Sequence, residues 1–229
     1  MRVAVLSDVH GNLPALEAVL AELAALDVAR VVCCGDVVAG PFPRECLDSL
    51  RALEAVLVRG NGDGPTPRAP AGTWEWISGQ LDEESLAFLA RLPITASLAG
   101  VRYCHGSPRD EDEILTRVSP DERFEAALAG VEEPLVVGGH THVQFEREVA
   151  GRRFVNAGSV GMPYEGRPGA FWALLDGLDV EFRHTPYAVD AAAASIRTTA
   201  YPGAEEMARW LLDPQDPDEV SAYFESIAS

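Results

Sequence analysis

Lysine is absent from the 229-residue chain, so all 18 of its basic side chains are arginine. That removes a P-loop lysine, a Schiff-base lysine and a Ser-Lys dyad from the available chemistry. Positive charge is also outnumbered: 36 acidic residues give a formal net charge of −18. Such a chain is not expected to coat nucleic acid, because neutralising phosphates requires clustered Lys and Arg. Cysteine is limited to Cys33, Cys34, Cys46 and Cys104. None are in C-x-x-C spacing and three lie in apolar strand-like runs, so buried reduced thiols are expected. There is no run of about 18 uncharged apolar residues, since Glu17 and Glu22 interrupt the longest candidate. Nor does a leader precede a first strand that starts at Arg2. A soluble, cytoplasmic protein with no membrane partner is the expectation.

Histidine is also sparse, but its placement is not random. Four of the five sit in short Gly- and Asp-rich clusters: Asp8-Val9-His10, His105-Gly106 and Gly139-His140-Thr141-His142, with Gly35-Asp36 and Gly60-Asn61 between them. Neutral imidazole, carboxylate and an amide oxygen are ligands that borderline divalent ions prefer. No packing rule concentrates them in this way.

The surrounding pattern explains where those clusters lie. Val3-Ala4-Val5-Leu6 reads as a strand leading into Ser7-Asp8. Asn12 then caps an amphipathic helix with leucines at 13, 16, 20 and 23 and Pro14 in its first turn. The rhythm repeats as Arg30–Cys34 into Gly35-Asp36, a helix from about Pro43 to Leu53, and Ala55–Val58 into Gly60-Asn61. Strands alternating with helices imply right-handed βαβ units and a mainly parallel sheet covered on both faces. The clusters therefore fall at the carboxyl ends of strands, where open α/β sheets place their ligand crevice. Residues 64–80 read as a Pro-rich loop with Trp74 and Trp76, able to overhang a pocket or simply anchored to the core. A helix is expected near 82–91. From Thr95 to His184 shorter strands predict a second, more antiparallel sheet. It is interrupted by a helix at about 120–129 with Ser119 as N-cap and Glu122 completing a capping box. After Pro186 the chain is Ala-rich and helical, and no chemical motif shows whether this tail packs, dimerises or covers the site. The division expected is residues 1–185 as one domain and 186–229 as a helical extension packed on it, with homo-oligomerisation left open.

The ordered series Asp8-x-His10, Gly35-Asp36, Gly60-Asn61-x-Asp63, His105-Gly106 and Gly139-His140-Thr141-His142 resembles the calcineurin-like metallophosphoesterase family. The lead-in at residues 7–12 is similar to its small bacterial phosphodiesterase-like members. The resemblance implies an α/β four-layer sandwich of two mixed β-sheets flanked by helices, with the C-terminal helices as an appendage. It implies two divalent ions, Mn²⁺ first, with Fe, Ni, Co or Zn also suited to the ligands. Asp8, His10 and His142 would hold one ion and Asn61, His105 and His140 the other, with Asp36 bridging. Asp36, Asn61 and Asp63 are the implied catalytic residues. Two dications against two carboxylates leave a local charge of about +2, or about +1 with a bridging hydroxide, which attracts phosphate to an acidic protein. The implied activity is hydrolysis of a phosphodiester, in a small molecule or a nucleotide, by metal-bridged hydroxide attack on phosphorus. The alternatives are a non-catalytic scaffold that binds a protein partner, or a phosphomonoesterase or protein phosphatase.

Two departures narrow that reading. Many relatives place a histidine where this chain has Gly62, and it is thought to assist attack or protonate the leaving oxygen. Without it, good leaving groups or a substitute donor are required. The segment Gly35–Pro41 also lacks the arginine that protein Ser/Thr phosphatases and diadenosine tetraphosphatases carry, which weakens those two assignments. Arg109 is the candidate substrate-binding residue, with Arg59 and Arg68 also close to motifs, although solvated arginine is the default. Asn12 reads as a cap, His184 as an ordinary strand histidine, and Cys104 as facing away from the site because it precedes His105 on a strand.

Overall fold

The computed structural model describes residues 1–67 and 69–228. Its elements are β1 (Arg2–Leu6), α1 (Leu13–Leu23), β2 (Arg30–Cys33), α2 (Pro43–Ala52), β3 (Val56–Leu57), α3 (Thr73–Gln80), α4 (Glu83–Leu89), β4 (Thr95–Leu98), β5 (Val101–Cys104) and α5 (Asp121–Ala127). They continue with β6 (Leu135–Gly138), β7 (Phe145–Val149), β8 (Arg152–Asn156), β9 (Ala170–Asp176), β10 (Asp179–Thr185), α6 (Val189–Arg197), α7 (Ala204–Leu212) and α8 (Pro217–Ile227). The first sheet runs β10-β9-β1-β2-β3 and the second β4-β5-β6-β8-β7. Each has a parallel run, β1-β2-β3 in one and β5-β6-β8 in the other; antiparallel β9 and β10 flank the first on one side, and antiparallel β4 and β7 flank the second on both.

The two sheets bury their facing sides against each other. Alternate residues Val3, Val5 and Val32 of the first sheet meet Tyr103, Leu135, Val137 and Val155 of the second in one buried cluster. The opposite face of the first sheet, with Ala4, Leu6 and Trp172, packs on α1 and α2 through Leu16, Val19, Leu47 and Leu50. The outer face of the second packs Val136 and Phe154 on Phe124 of α5. Helix, sheet, sheet and helix make four layers. Near-continuous apolar runs in the central strands follow from burial on both faces.

Three local expectations are corrected. The late strands β9 and β10 do not join the second sheet. They extend the first, with β9 antiparallel to β1 (Val3 opposite Leu175) and closing its otherwise open edge. Residues 64–80 are not loop throughout, because α3 begins at Thr73 and carries both tryptophans, packed against the α1–α2 core. Ser119 is not the cap of α5. Pro120 occupies that position without a side-chain bond, while Ser119 Oγ accepts from Thr116 N–H (2.8 Å) and donates to Glu225. A capping pattern read locally lost to a tertiary acceptor 106 residues away.

Asn12 does cap α1. Its Oδ1 accepts from Ala15 N–H, while its Nδ2 donates to Gly161 O at 2.8 Å and ties the first loop to the turn after β8. All four cysteines are buried and unpaired as disulfides. His184 stacks on Phe171 within the β9–β10 hairpin. Among the described residues, no helix is long and apolar enough to cross a membrane.

The C-terminal helices are fastened to the sandwich. Ala193 and Ile196 of α6 pack on Met207 and Leu211 of α7, with Phe42 against the cluster. On α8, Glu225 accepts from Thr116 Oγ1 and Arg123 Nη1, both at 2.8 Å.

Candidate metal centre

Every cluster singled out in the sequence lies just beyond the carboxyl end of a parallel strand: Asp8 after β1, Asp36 after β2, Asn61 after β3, His105 after β5, and His140 and His142 after β6. Regular extended backbone would place Asp8 and His10, or His140 and His142, side by side on one face with their side chains parallel rather than converging. The backbone departs from it. Asp8, His10, Asp36, His140 and His142 all have positive φ, between 47° and 69°. Left-handed backbone costs a non-glycine residue about 1–2 kcal/mol and persists only where the surroundings over-determine it. Five such residues around one crevice signal a functional constraint. Gly139 permits a close approach, since a Cβ there would lie 1.9 Å from Ser7 Oγ and 2.3 Å from Asp8 Oδ2.

The side chains meet. Asp8, His10 and His142 form one group whose potential ligand atoms lie within 4.8 Å of one another, and Asp8, Asp36 and His105 form a second. His10 Nε2 is 3.1 Å from His142 Nε2 and 3.6 Å from Asp36 Oδ2. His105 Nε2 is 3.0 Å from Asn61 Oδ1, 3.1 Å from His140 Nδ1 and 3.6 Å from Asp36 Oδ1. Asp36 thus stands between the two groups.

The protonation pattern is set from behind. Nδ1 of His10 faces Ala39 O at 3.1 Å, that of His105 faces Cys34 O at 2.6 Å, and that of His142 faces Met162 O at 2.7 Å. A carbonyl only accepts, so each Nδ1 carries a proton, and a ring in its neutral, metal-binding form turns its Nε2 lone pair into the crevice. Lone pairs on His10 and His142 then face each other at contact distance, and that of His105 faces the Asn61 oxygen. Asp8 Oδ2 is satisfied by Ser7 Oγ (2.5 Å) and His140 N–H (3.0 Å). Its Oδ1 is buried without a well-aligned donor and points at His142 Nε2, 3.0 Å away. Acceptors converging on acceptors in a buried site call for a cation. Six of the seven candidate ligands are buried, and Asn61 is partly exposed.

The electrostatics agree. Burial opposes charge on His10, but its bond to Asp8 and the field of Asp36 outweigh that and raise its pKa to about 9. His105 is also raised, by Asp36 and Asp8, against the same burial penalty. Burial alone would push Asp8 up, yet the fields of His142 and His105 hold it well below the usual carboxylate range. Protons are drawn to the place that suits divalent ions.

Asp63 is brought to the centre but not into the crevice. Its Oδ2 accepts from Asp36 N–H (2.9 Å) and Gly60 N–H (3.0 Å), and its Oδ1 from Val37 N–H (2.8 Å) and Val38 N–H (3.1 Å). It therefore locks the turn holding Asp36 to the turn holding Asn61. Burial, with the Asp36 charge, raises its pKa to about 6, while the donated N–H groups oppose the rise. Asp63→Asn would turn one of these acceptors into a donor facing N–H groups. A loss of about 2–3 kcal/mol in urea unfolding is expected, given the cost of unpaired buried donors. A loss below about 0.5 kcal/mol would show that the two turns hold without it.

Arg109 is not brought to the crevice. Its guanidinium engages the Glu113 carboxylate and donates to Ala126 O. Arg59 is paired with Glu111, and Arg68 lies outside the described residues. What the sequence reading missed is the wall opposite the ligands. A cleft of about 300 Å³ exposes His10, Asp36, Asn61, His140 and His142 on one side, and on the other Tyr164, Tyr201, Met207, Trp210 and Phe224. Tyr164 stacks on the His142 ring at 4.9 Å and 14°. Asn156 is a second missed residue: its Nδ2 donates to Gly139 O and Thr141 Oγ1 and so sets the turn bearing His140.

Two facing mixed sheets, with a crevice of His, Asp and Asn at their strand ends, define a metallophosphoesterase. Residues 1–177 match the calcineurin-like phosphoesterase superfamily domain, and the chain belongs to that family. A metallophosphoesterase from Sphaerobacter thermophilus superposes with a TM-score of 0.79 at 30% identity, over 93% of this chain and 99% of that one. A hypothetical protein from Pyrococcus horikoshii OT3 gives 0.80 at 25% identity, over 94% and 99%. An uncharacterized protein of Methanocaldococcus jannaschii is 28% identical over 225 residues, covering 85% of this chain and 91% of its own length. Family membership supports a metal-dependent phosphoester hydrolase.

Proposed function

We propose that the protein is a phosphodiesterase with a two-ion centre, Mn²⁺ being the resident metal. Asp8, His10 and His142 would hold one ion, Asn61, His105 and His140 the other, and Asp36 would serve both. The observation that carries this reading is the convergence of imidazole, carboxylate and amide lone pairs on one buried crevice. Bound divalent ions supply a water of lowered pKa and stabilise charge developing on the phosphoryl oxygens. The water oxygen joins phosphorus, the bond from phosphorus to the leaving oxygen breaks, and the proton passes to the departing alcohol. The chain's own side chains set three further limits. Backbone carbonyls behind His10, His105 and His142 fix ring orientation. Among the described residues no arginine lines the cleft, which favours a diester monoanion over a monoester dianion. Gly62 offers no proton to the leaving oxygen, so acidic leaving groups are favoured.

Turnover of bis-p-nitrophenyl phosphate by the full chain with Mn²⁺ or Ni²⁺, faster than that of p-nitrophenyl phosphate, is the expected result. No turnover with any divalent ion would overturn the reading. All seven candidate ligands are present, which disfavours a scaffold without catalysis.

Gly62 is also a steric statement. A Cβ there would lie 2.7 Å from Ala39 Cβ and 3.1 Å from both Asp36 oxygens, whereas Gly62 N–H now donates to Asp36 Oδ1 at 2.6 Å. Gly62→His alone is therefore expected to displace Asp36 and lower kcat/KM about tenfold or more. Adding Ala39→Gly should recover most of that loss. A single variant with unimpaired kcat/KM would show that the Asp36 environment yields freely.

A further inference from the structure

Beyond the metal-side cleft lies a second cavity of about 500 Å³ between α7 and α8. Tyr164, Glu206, Trp210 and Phe224 line both, so the two cavities adjoin, the second lying farther from the ligands. Three features describe what the outer part accepts. Its rings are inclined rather than parallel: Tyr164 meets Trp210 at 85° and 6.3 Å, and Phe224 at 45° and 6.4 Å, while Tyr223 meets Phe224 at 56° and 6.0 Å. Inclined rings make a box for a compact group, whereas a nucleobase needs a flat parallel face. Among the described residues, the charged side chains lining the outer cavity are the carboxylates Glu206 and Glu219. Glu206 meets Arg209 only at 3.6 Å in an exposed pair, which screens it little. Aromatic faces with nearby carboxylates attract organic cations. A further phosphate or carboxylate on the substrate would meet repulsion instead.

We propose that this outer cavity binds an alkylammonium group, so that the substrates are phosphodiesters of an amino alcohol of the choline or ethanolamine type. The phosphate then sits at the ligands and the ammonium in the ring box, with the C-terminal helices setting specificity. The proposal rests on the phosphodiesterase reading for its phosphate half only.

The test separates the two halves. Choline and its uncharged isostere 3,3-dimethylbutan-1-ol are titrated calorimetrically into the full chain after chelation, which involves no catalysis. Choline binding at least about tenfold tighter than the isostere is expected, with that preference lost in Tyr223→Leu and Glu219→Gln. Tyr223 is 61% exposed, so its truncation leaves the core intact. In the Mn²⁺-loaded protein, p-nitrophenylphosphorylcholine should show a kcat/KM about tenfold above that of bis-p-nitrophenyl phosphate. The same two substitutions should lower the first through KM and leave the second unchanged. Equal binding of choline and the isostere, no binding of either, or tighter binding of adenosine than choline would each overturn the cationic subsite, even with hydrolysis intact. Choline selectivity in a protein without esterase activity would uphold the subsite and overturn the phosphodiesterase reading instead.

Discussion

Asp36→Asn is expected to lower kcat/KM toward bis-p-nitrophenyl phosphate by about 10³-fold or more and to reduce the bound metal measured by elemental analysis. Asp36 is placed at 3.6 Å from both His10 Nε2 and His105 Nε2, so both ligand groups depend on its charge. Its removal leaves Asp8 as the one carboxylate among the ligands. The Asn side chain has nearly the same shape and can still accept the Gly62 N–H, so the turn should survive. Unchanged circular dichroism together with lost metal would therefore locate the defect at the centre. A variant with full metal content and activity within tenfold of the parent would remove Asp36 from the ligand set.

The second large effect is on pH-dependent stability after chelation. The folded-state pKa of His10 is raised to about 9 from an ordinary 6.5. A raised histidine binds its proton more tightly in the native state, so its contribution is complete below pH 6.5 and is lost as pH climbs through 9. Asp8 has the opposite sign: its lowered pKa stabilises the fold above about 3.8, and this contribution disappears as the solution becomes more acidic. Through His10 the chelated protein should lose about 3 kcal/mol from pH 6.5 to above 9, beyond the range up to about 6 in which the raised Asp63 carboxyl loses its own contribution. Urea midpoints across that range, compared with His10→Gln, isolate the histidine from the general repulsion of a chain at −18. Added Mn²⁺ should restore most stability at high pH, where the metal no longer competes with a proton. Matching pH profiles for the parent and His10→Gln would remove His10 from the account.

The two halves of the molecule differed in how openly the sequence spoke. Metal-type residues could be placed because each follows a recognisable apolar strand, and a strand's carboxyl end is where α/β sheets open their crevice. The α1 cap at Asn12 was readable for the same reason, since its partner Ala15 lies three residues away. Ser119 was misread because Glu225, brought by α8, competes for its hydroxyl. Strands β9 and β10 were assigned to the wrong sheet because short alternating strands carry no label for the edge they will close. The aromatic wall could not be read residue by residue. Tyr164, Trp210 and Phe224 fall in unconnected segments whose apolar residues look like ordinary core, and the docking of α7 and α8 brings Trp210 and Phe224 to the Tyr164 ring that stacks on His142. Arg109 drew attention by standing near His105, but Glu113 four residues on claimed it.

The left-handed backbone at Asp8, His10, Asp36, His140 and His142 has a consequence for laboratory evolution. Glycine would relax the main chain at each position, but only by deleting a ligand together with the stability that bound metal confers, so backbone relaxation and metal retention are traded against each other there. Thermostabilising campaigns on this scaffold need selection for retained metal in every round.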